Sequence, residues 1–228
     1  MRRLTLPLIA CLLFAVAGCG GDDDQDASTA SATAPAATAS TTDSGCQQVP
    51  AAQPKAGKAD KPTKQLTAGD TVTVTLETNC GSIPIELDTK RAPKTASSFA
   101  SLAEQGFYDG LSFHRIVPGF VVQGGDPEGS GMGGPGYKVV EKPPADLAYT
   151  RGVVAMAKTE VEKPGTSGSQ FFIVTGQDVG LPPDYALVGK VTGDGMATVD
   201  KIEAVPINQQ TEQPDAPVVI SKATVSGE

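Results

Sequence analysis

Arg115, Gln123 and Gln170 are polar groups set among apolar, strand-like residues, and they are where chemistry is expected first. The segment Phe113-His114-Arg115-Ile116-Val117-Pro118-Gly119-Phe120-Val121-Val122-Gln123-Gly124-Gly125-Asp126 reads as two short strands about a Pro-Gly turn. Side chains alternate across a strand, so Phe113, Arg115 and Val117 share one face, and Val121 and Gln123 share a face after the turn. A guanidinium and a carboxamide then stand beside apolar side chains. A second segment, Gly165-Thr166-Ser167-Gly168-Ser169-Gln170-Phe171-Phe172-Ile173, puts Gln170 and Phe172 on one face. Taken singly, an Arg on a strand is an edge charge and a Phe is core. Together they describe an apolar dish with a few polar groups, the usual build of a small ligand site.

Other chemistries fit poorly. The single histidine, His114, excludes chemistry that needs paired imidazoles and argues against a Ser-His-Asp arrangement. Gly165-Thr166-Ser167-Gly168-Ser169 is not the nucleophile elbow G-x-S-x-G. Gly129, Gly131 and Gly134 match G-x-G-x-x-G, but Pro135-Gly136 follows where a helix should start, which argues against a dinucleotide site. No Cys/His cluster has metal-ligand spacing, and Asp22-Asp23-Asp24 reads as a solvated charge run. With 18 basic against 26 acidic residues the net charge is −8, so no nucleic-acid partner is expected.

The elements that must position these groups are mostly strands. Val72, Val74 and Leu76 alternate with Thr and Glu, Thr78 to Ser82 is turn chemistry, and Ile83, Ile85 and Leu87 alternate again: a hairpin. Pro93 opens a helix whose Ala96, Phe99, Leu102 and Ala103 share a face, and Gly106 ends it. Short β segments are expected at 113–117, 120–123, 153–157, 170–174 and 186–191. Met196, Val199 and Ile202 mark a second short helix, and β alternation resumes at Val218. Many short strands with Gly-rich connections and two helices predict a mainly β fold, a closed antiparallel barrel with helices over its ends, in one domain spanning 68–226.

The N-terminus reads as an address. Met1-Arg2-Arg3 precedes an apolar run from Leu4 to Ala17, too short to span a bilayer core of about 20 residues. Residues 1–18 are expected to be a signal peptide. Val16-Ala17-Gly18-Cys19 resembles the lipobox of bacterial lipoproteins, which implies lipid on Cys19 and an extracytoplasmic protein anchored to the bacterial cell membrane. Between Gly20 and Gln65 the only large aliphatic or aromatic residue is Val49, so residues 19–67 are expected to form the lipidated end and a flexible tether. Outside the cytoplasm Cys46 and Cys80 are expected to pair as a disulfide tying tether to hairpin; the alternative is two free thiols.

Over residues 70–226 the chain resembles cyclophilin-type peptidyl-prolyl isomerases. FHRIVPGFVVQGGD (113–126) is similar to that family's central motif, GSGMGGPGY (129–137) to its glycine loop, GTSGSQFFI (165–173) to its second strand motif, and LPPDYALVGKV (181–191) to the segment closing its pocket. The resemblance implies an eight-stranded barrel capped by two helices, rotation about X–Pro bonds of polypeptide substrates, and no cofactor or metal. It implies that Arg115 is the catalytic arginine and that Phe120, Val121, Phe172 and the rim residue Leu181 hold the proline. It implies that Gln123 and Gln170 hold substrate backbone, that Gly131 lies in the loop beside the pocket, and that Ala157 and Lys158 meet the residue before proline. The chain departs from the family's commoner Met at Val121, Asn at Lys158 and His at Tyr185, and it has Gly180 where some relatives carry Trp. Weak or absent cyclosporin binding is expected from these, together with a monomer. The other reading left open is a proline-binding module or holdase with little turnover.

Overall fold

The computed structural model describes residues 42–227. Residues 1–18, Cys19 and the first part of the expected tether lie outside the described residues. The chain order is β1 (Val72–Thr78), β2 (Gly81–Leu87), α1 (Pro93–Glu104), β3 (Phe113–Val117), β4 (Val121–Gly124), β5 (Val139–Val140), β6 (Val153–Met156), β7 (Thr166–Ser167), β8 (Phe171–Val174), β9 (Leu187–Val191), α2 (Gly195–Glu203) and β10 (Ile220–Gly227). No helix among these residues is long and apolar enough to cross a membrane.

Eight strands form one antiparallel sheet in the order β10-β1-β2-β9-β6-β8-β4-β3, and β5 pairs only with β7. The sheet is strongly curled but open, which corrects the expected closed barrel. Its edges β3 and β10 form no ladder. They meet only through one bridge, Ser112 with Val219, and bonds such as Phe113 N–H to Val218 O (2.9 Å) and Ile220 N–H to Leu111 O (2.8 Å). Beyond that seam the loop before β10 occupies the free edge of β3: the Ile116 N–H donates to Glu212 O at 2.8 Å. An edge strand's unpaired backbone groups are thus met by a loop instead of a strand.

Alternation divides the apolar residues between two faces. Val72, Val74, Leu76, Ile83 and Ile85 point inward, with Phe99, Leu102 and Ala103 of α1 packed in the same core. Phe171 sits in that core, edge-on to Phe99 (5.4 Å), Tyr108 (5.6 Å) and Phe113 (5.8 Å) between ring centroids. The next residue, Phe172, points the other way into a smaller cluster with Val121, Tyr149, Ala155 and Leu187. Helix α1 lacks a side-chain N-cap of its own. Glu141, just after β5, supplies one from outside: its carboxylate accepts the Lys94 (3.2 Å) and Thr95 (2.7 Å) N–H groups, favourable at the positive end of a helix dipole.

From Thr42 to Leu66 the chain is an extended strap laid on the domain. Cys46 and Cys80 are joined as a disulfide, and Gln47 N–H donates to Asn79 O at 2.8 Å. Further along, Lys55 N–H donates to Pro127 O (2.9 Å), Ala59 N–H to Pro135 O (3.0 Å), and Leu66 N–H to Ser97 Oγ (2.8 Å). With few apolar side chains to bury, this stretch is held largely through its backbone.

Candidate active site

Register across the sheet builds one row. Arg115 on β3 lies opposite Gln123 on β4, Gln123 opposite Phe172 on β8, Phe172 opposite Ala155 on β6, and Ala155 opposite Leu187 on β9. Residues directly opposite on neighbouring strands share a face about 4.5–5.5 Å apart. The row is therefore polar at one end and apolar at the other. Val121, two residues before Gln123, adds to the apolar end; Phe120, in the turn before β4, and Leu181, in the loop before β9, pack half-buried against it.

The polar end is wired by hydrogen bonds. Arg115 Nη1 donates to Gln123 Oε1 (3.3 Å), Gln123 Nε2 to Gln170 Oε1 (3.1 Å), and Gln170 Nε2 to Gly133 O (2.9 Å). Arg115 Nε donates to Glu212 Oε2 at 2.6 Å, in an ion pair whose side chains are 35% and 40% exposed. The guanidinium thus has two anchors and donors to spare beside the apolar dish. Glu212 holds φ 58, the one positive φ among the described residues other than glycine. Its own N–H bonds Asn208 O at 2.8 Å, so the loop that covers the β3 edge also presents the carboxylate.

The apolar end is closed by aromatic rings. Tyr185 stands edge-on to Phe172 (5.4 Å) and to Tyr149 (6.0 Å). The Tyr149 hydroxyl donates to Tyr185 O (2.6 Å) and accepts the Tyr185 N–H (2.9 Å), fixing that backbone. Burial pushes the Tyr149 hydroxyl pKa up to about 12, so it stays a donor at physiological pH. Lys158 Nζ sits 5.4 Å from the Tyr185 ring centroid, a cation–π contact, and also donates to the carbonyls of Thr159 and Glu162, both at 3.3 Å. Lys158 and Tyr185, the two positions expected to carry Asn and His, therefore touch each other.

Beside Gln170 lies a small cavity of about 90 Å³, walled by Gly131, Met132, Gly133, Ala157, Lys158 and Gln170 among others. Gly131 lies in the glycine loop, held from beneath by Asp126. That carboxylate is 1% exposed and accepts the N–H groups of Glu128 and Gly131. A larger cavity of about 610 Å³ lies elsewhere, lined by Asp70, Glu86, Asp88, Arg91 and others, and holds none of the predicted site residues. The dish and cavity together carry Arg115, Phe120, Val121, Gln123, Gly131, Ala157, Lys158, Gln170, Phe172, Leu181 and Tyr185, which the sequence spreads over 71 positions. Glu212, Asp126 and Tyr149 were not legible as site residues. Asp126 closes the segment 113–126 already singled out, whereas Tyr149 lies in a stretch with no motif. Glu212, 97 residues from its partner, leaves no local signal.

Residues 73–225 match the family model described as cyclophilin type peptidyl-prolyl cis-trans isomerase/CLD, and the chain belongs to that family. It is a peptidyl-prolyl cis-trans isomerase. It is 40% identical over 168 residues to peptidyl-prolyl cis-trans isomerase B of Streptomyces anulatus, covering 66% of this chain and 94% of that protein. It is 42% identical over 156 residues to peptidyl-prolyl cis-trans isomerase-like 3 of Gallus gallus, covering 67% and 94%. Among solved structures it is similar to a cyclophilin type isomerase of Cryptosporidium parvum, determined in the presence of the dipeptide Ala-Pro. There the TM-score is 0.63, with 31% identity, 68% of this chain and 99% of that chain covered. The match to the family model begins at residue 73, after the strap.

Proposed function

We propose that this isomerase turns X–Pro bonds in proteins outside the cytoplasm, with Arg115 as its catalytic residue and lipid on Cys19 as its membrane anchor. The observation that carries the catalytic reading is the row Arg115–Gln123–Phe172–Ala155, a charged donor set at the edge of an apolar dish. Amide resonance sets a barrier of about 18–20 kcal/mol to rotation. No bond has to break, so the protein need only bind the twisted amide better than either planar form. Twisting localises the lone pair on the prolyl nitrogen, and a free guanidinium N–H of Arg115 donates to it. A hydrogen bond from a charged group contributes about 1.5–3 kcal/mol. Phe120, Val121, Phe172 and Leu181 grip the pyrrolidine ring, while Gln123 and Gln170 hold the substrate backbone and Ala157 and Lys158 meet the residue before proline.

A disulfide in the strap favours an oxidising compartment. The lipobox-like Val16-Ala17-Gly18-Cys19 supports the anchor, and Gly180 in place of Trp supports weak or no cyclosporin binding by a monomeric domain. Metabolic labelling with a palmitate analogue, lost in Cys19→Ser, tests the anchor. The catalytic reading is tested with a proline tetrapeptide assay on wild type and Arg115→Ala. Turnover is expected to fall about 10- to 150-fold, the rate equivalent of the lost hydrogen bond, with peptide affinity largely kept. Unchanged turnover removes Arg115 from its role, and a wild type that binds but does not turn over points to a binding module.

A further inference from the structure

We propose that the strap is a working part of the substrate site: it clamps the glycine loop (129–137) together with Pro127 just before it, and Gly57 is the positioning residue of the clamp. The inference rests on the reading of the Arg115, Gln123 and Gln170 row as the active site.

The strap grips the loop at both ends. Lys55 N–H donates to Pro127 O at 2.9 Å and Ala59 N–H to Pro135 O at 3.0 Å. Between these two bonds lies Gly57. A Cβ there would stand 2.3 Å from Gly134 O and 2.8 Å from Pro127 Cγ. The backbone of Gly57 is outside the left-handed region, so space alone demands glycine at this position. The strap in turn has fixed points of its own. Cys46 is bonded to Cys80, Asp60 exchanges two hydrogen bonds with the Gln105 side chain at 2.9 Å each, and Lys55 Nζ donates to Asp109 O at 2.7 Å while lying over the Phe107 ring.

What the clamp holds is continuous with the site. The carbonyl of Gly133, next to Gly134, accepts from Gln170, which accepts from Gln123, which accepts from Arg115. Gly131, Met132 and Gly133 also wall the cavity beside Gln170. Residues of a substrate that lie upstream of the X–Pro bond and beyond Gln170 enter that cavity. The strap therefore sets the width of the subsite that accepts the longer part of a polypeptide, and a short proline peptide does not feel it.

The test uses the full chain and two peptides, one with a single residue before proline and one with four. In Gly57→Ala the strap or the loop must yield by about 1 Å to reach an ordinary contact, and misplacements of that size cost up to a hundredfold at a site. KM for the long peptide is expected to rise about five- to tenfold, with KM for the short peptide and kcat for both within about twofold of wild type. Ala59→Pro, which deletes the second clamp bond and sets its ring Cδ against the Pro135 carbonyl, is expected to shift the long-peptide KM in the same direction. Thermal midpoints measured alongside show that both variants are folded. An unchanged long-peptide KM in both variants, or an equal rise for both peptides, overturns the proposal. Arg115→Ala serves as the separate control: if it keeps wild-type turnover the active-site reading fails, and if it is inactive while Gly57→Ala behaves as wild type, only the clamp fails.

Discussion

Removing the Glu212 carboxylate separates what orients the guanidinium from what stabilises the domain. The Arg115–Glu212 pair is short, 2.6 Å, but its side chains are 35% and 40% exposed. Solvent-screened pairs contribute at most about 1 kcal/mol. For a domain of this size that is a shift of about 2–4 °C in the thermal midpoint. The catalytic effect is larger. Without the bond to Nε, Arg115 keeps one anchor, the 3.3 Å contact to Gln123. Fixing a long side chain that was previously held costs about 0.5–1.5 kcal/mol, so kcat is expected to fall about 2- to 12-fold in Glu212→Ala at 1.36 kcal/mol per decade. KM is expected to stay put, because the apolar dish and both glutamines are untouched. Glu212→Gly is the companion. At φ 58 a glycine sits without strain, which offsets the lost ion pair, so kcat falls with the midpoint nearly unchanged. Progress curves for a proline tetrapeptide across substrate concentrations, with thermal melts, read both quantities. A kcat equal to or above wild type in both variants refutes the orienting role; a midpoint drop beyond about 5 °C in Glu212→Ala makes the residue structural.

Cys46 and Cys80 close a loop with a separation of 34 residues. The chain-entropy relation assigns such a loop about 4 kcal/mol, and urea unfolding of Cys46→Ala/Cys80→Ala against wild type is expected to show a loss of that order; a loss below about 1 kcal/mol counts against it. His114 has both ring nitrogens buried without a partner, and burial chiefly holds its pKa below the usual value, opposed by Asp126 and assisted by Arg115. Its contribution to stability is present above the unfolded pKa of about 6.5 and is lost as pH falls toward the depressed folded value. The drop in unfolding free energy from pH 7.5 to 5.0 is therefore expected to be smaller in His114→Leu than in wild type, and equal drops contradict the assignment. Phe171→Leu loses three edge-on aromatic pairs and is expected to cost about 2–4 kcal/mol with KM unchanged. Phe172→Leu, one residue on, is expected to raise KM severalfold at a smaller cost in stability. The reverse pattern would place the two faces of β8 the wrong way round.

Much of this site was legible because its residues lie in short segments of strict alternation. Period 2 put Gln123 apart from Val122, as β4 has it, but it also put Phe113 on the face of Arg115, and there a register shift between the two leaves Phe113 in the core with Phe171 while Arg115 joins the row of Gln123 and Phe172. The hairpin of β1 and β2 and helix α1 between Pro93 and Gly106 followed from the same local rules. The two-residue strands β5 and β7 had no signal, since their pairing is with each other alone and 28 positions apart in Val139 and Ser167, too far for any local pattern to register.

By itself the sequence determined which faces are apolar, where the turns fall, and which four segments carry the family's motifs, because each of these depends on residues a few positions apart. Only the tertiary structure decided whether the sheet closes. That depended on where the loop 206–215 came to rest, and it took the edge of β3. The same placement decided that Glu212 meets Arg115. Composition alone made residues 19–67 a tether. Over 42–66 the fold supplied main-chain carbonyls at Asn79, Pro127 and Pro135 and the hydroxyl of Ser97, and the strap's own N–H groups took them. Hydrogen bonds to the main chain need no particular side chain, so nothing in the composition announces them.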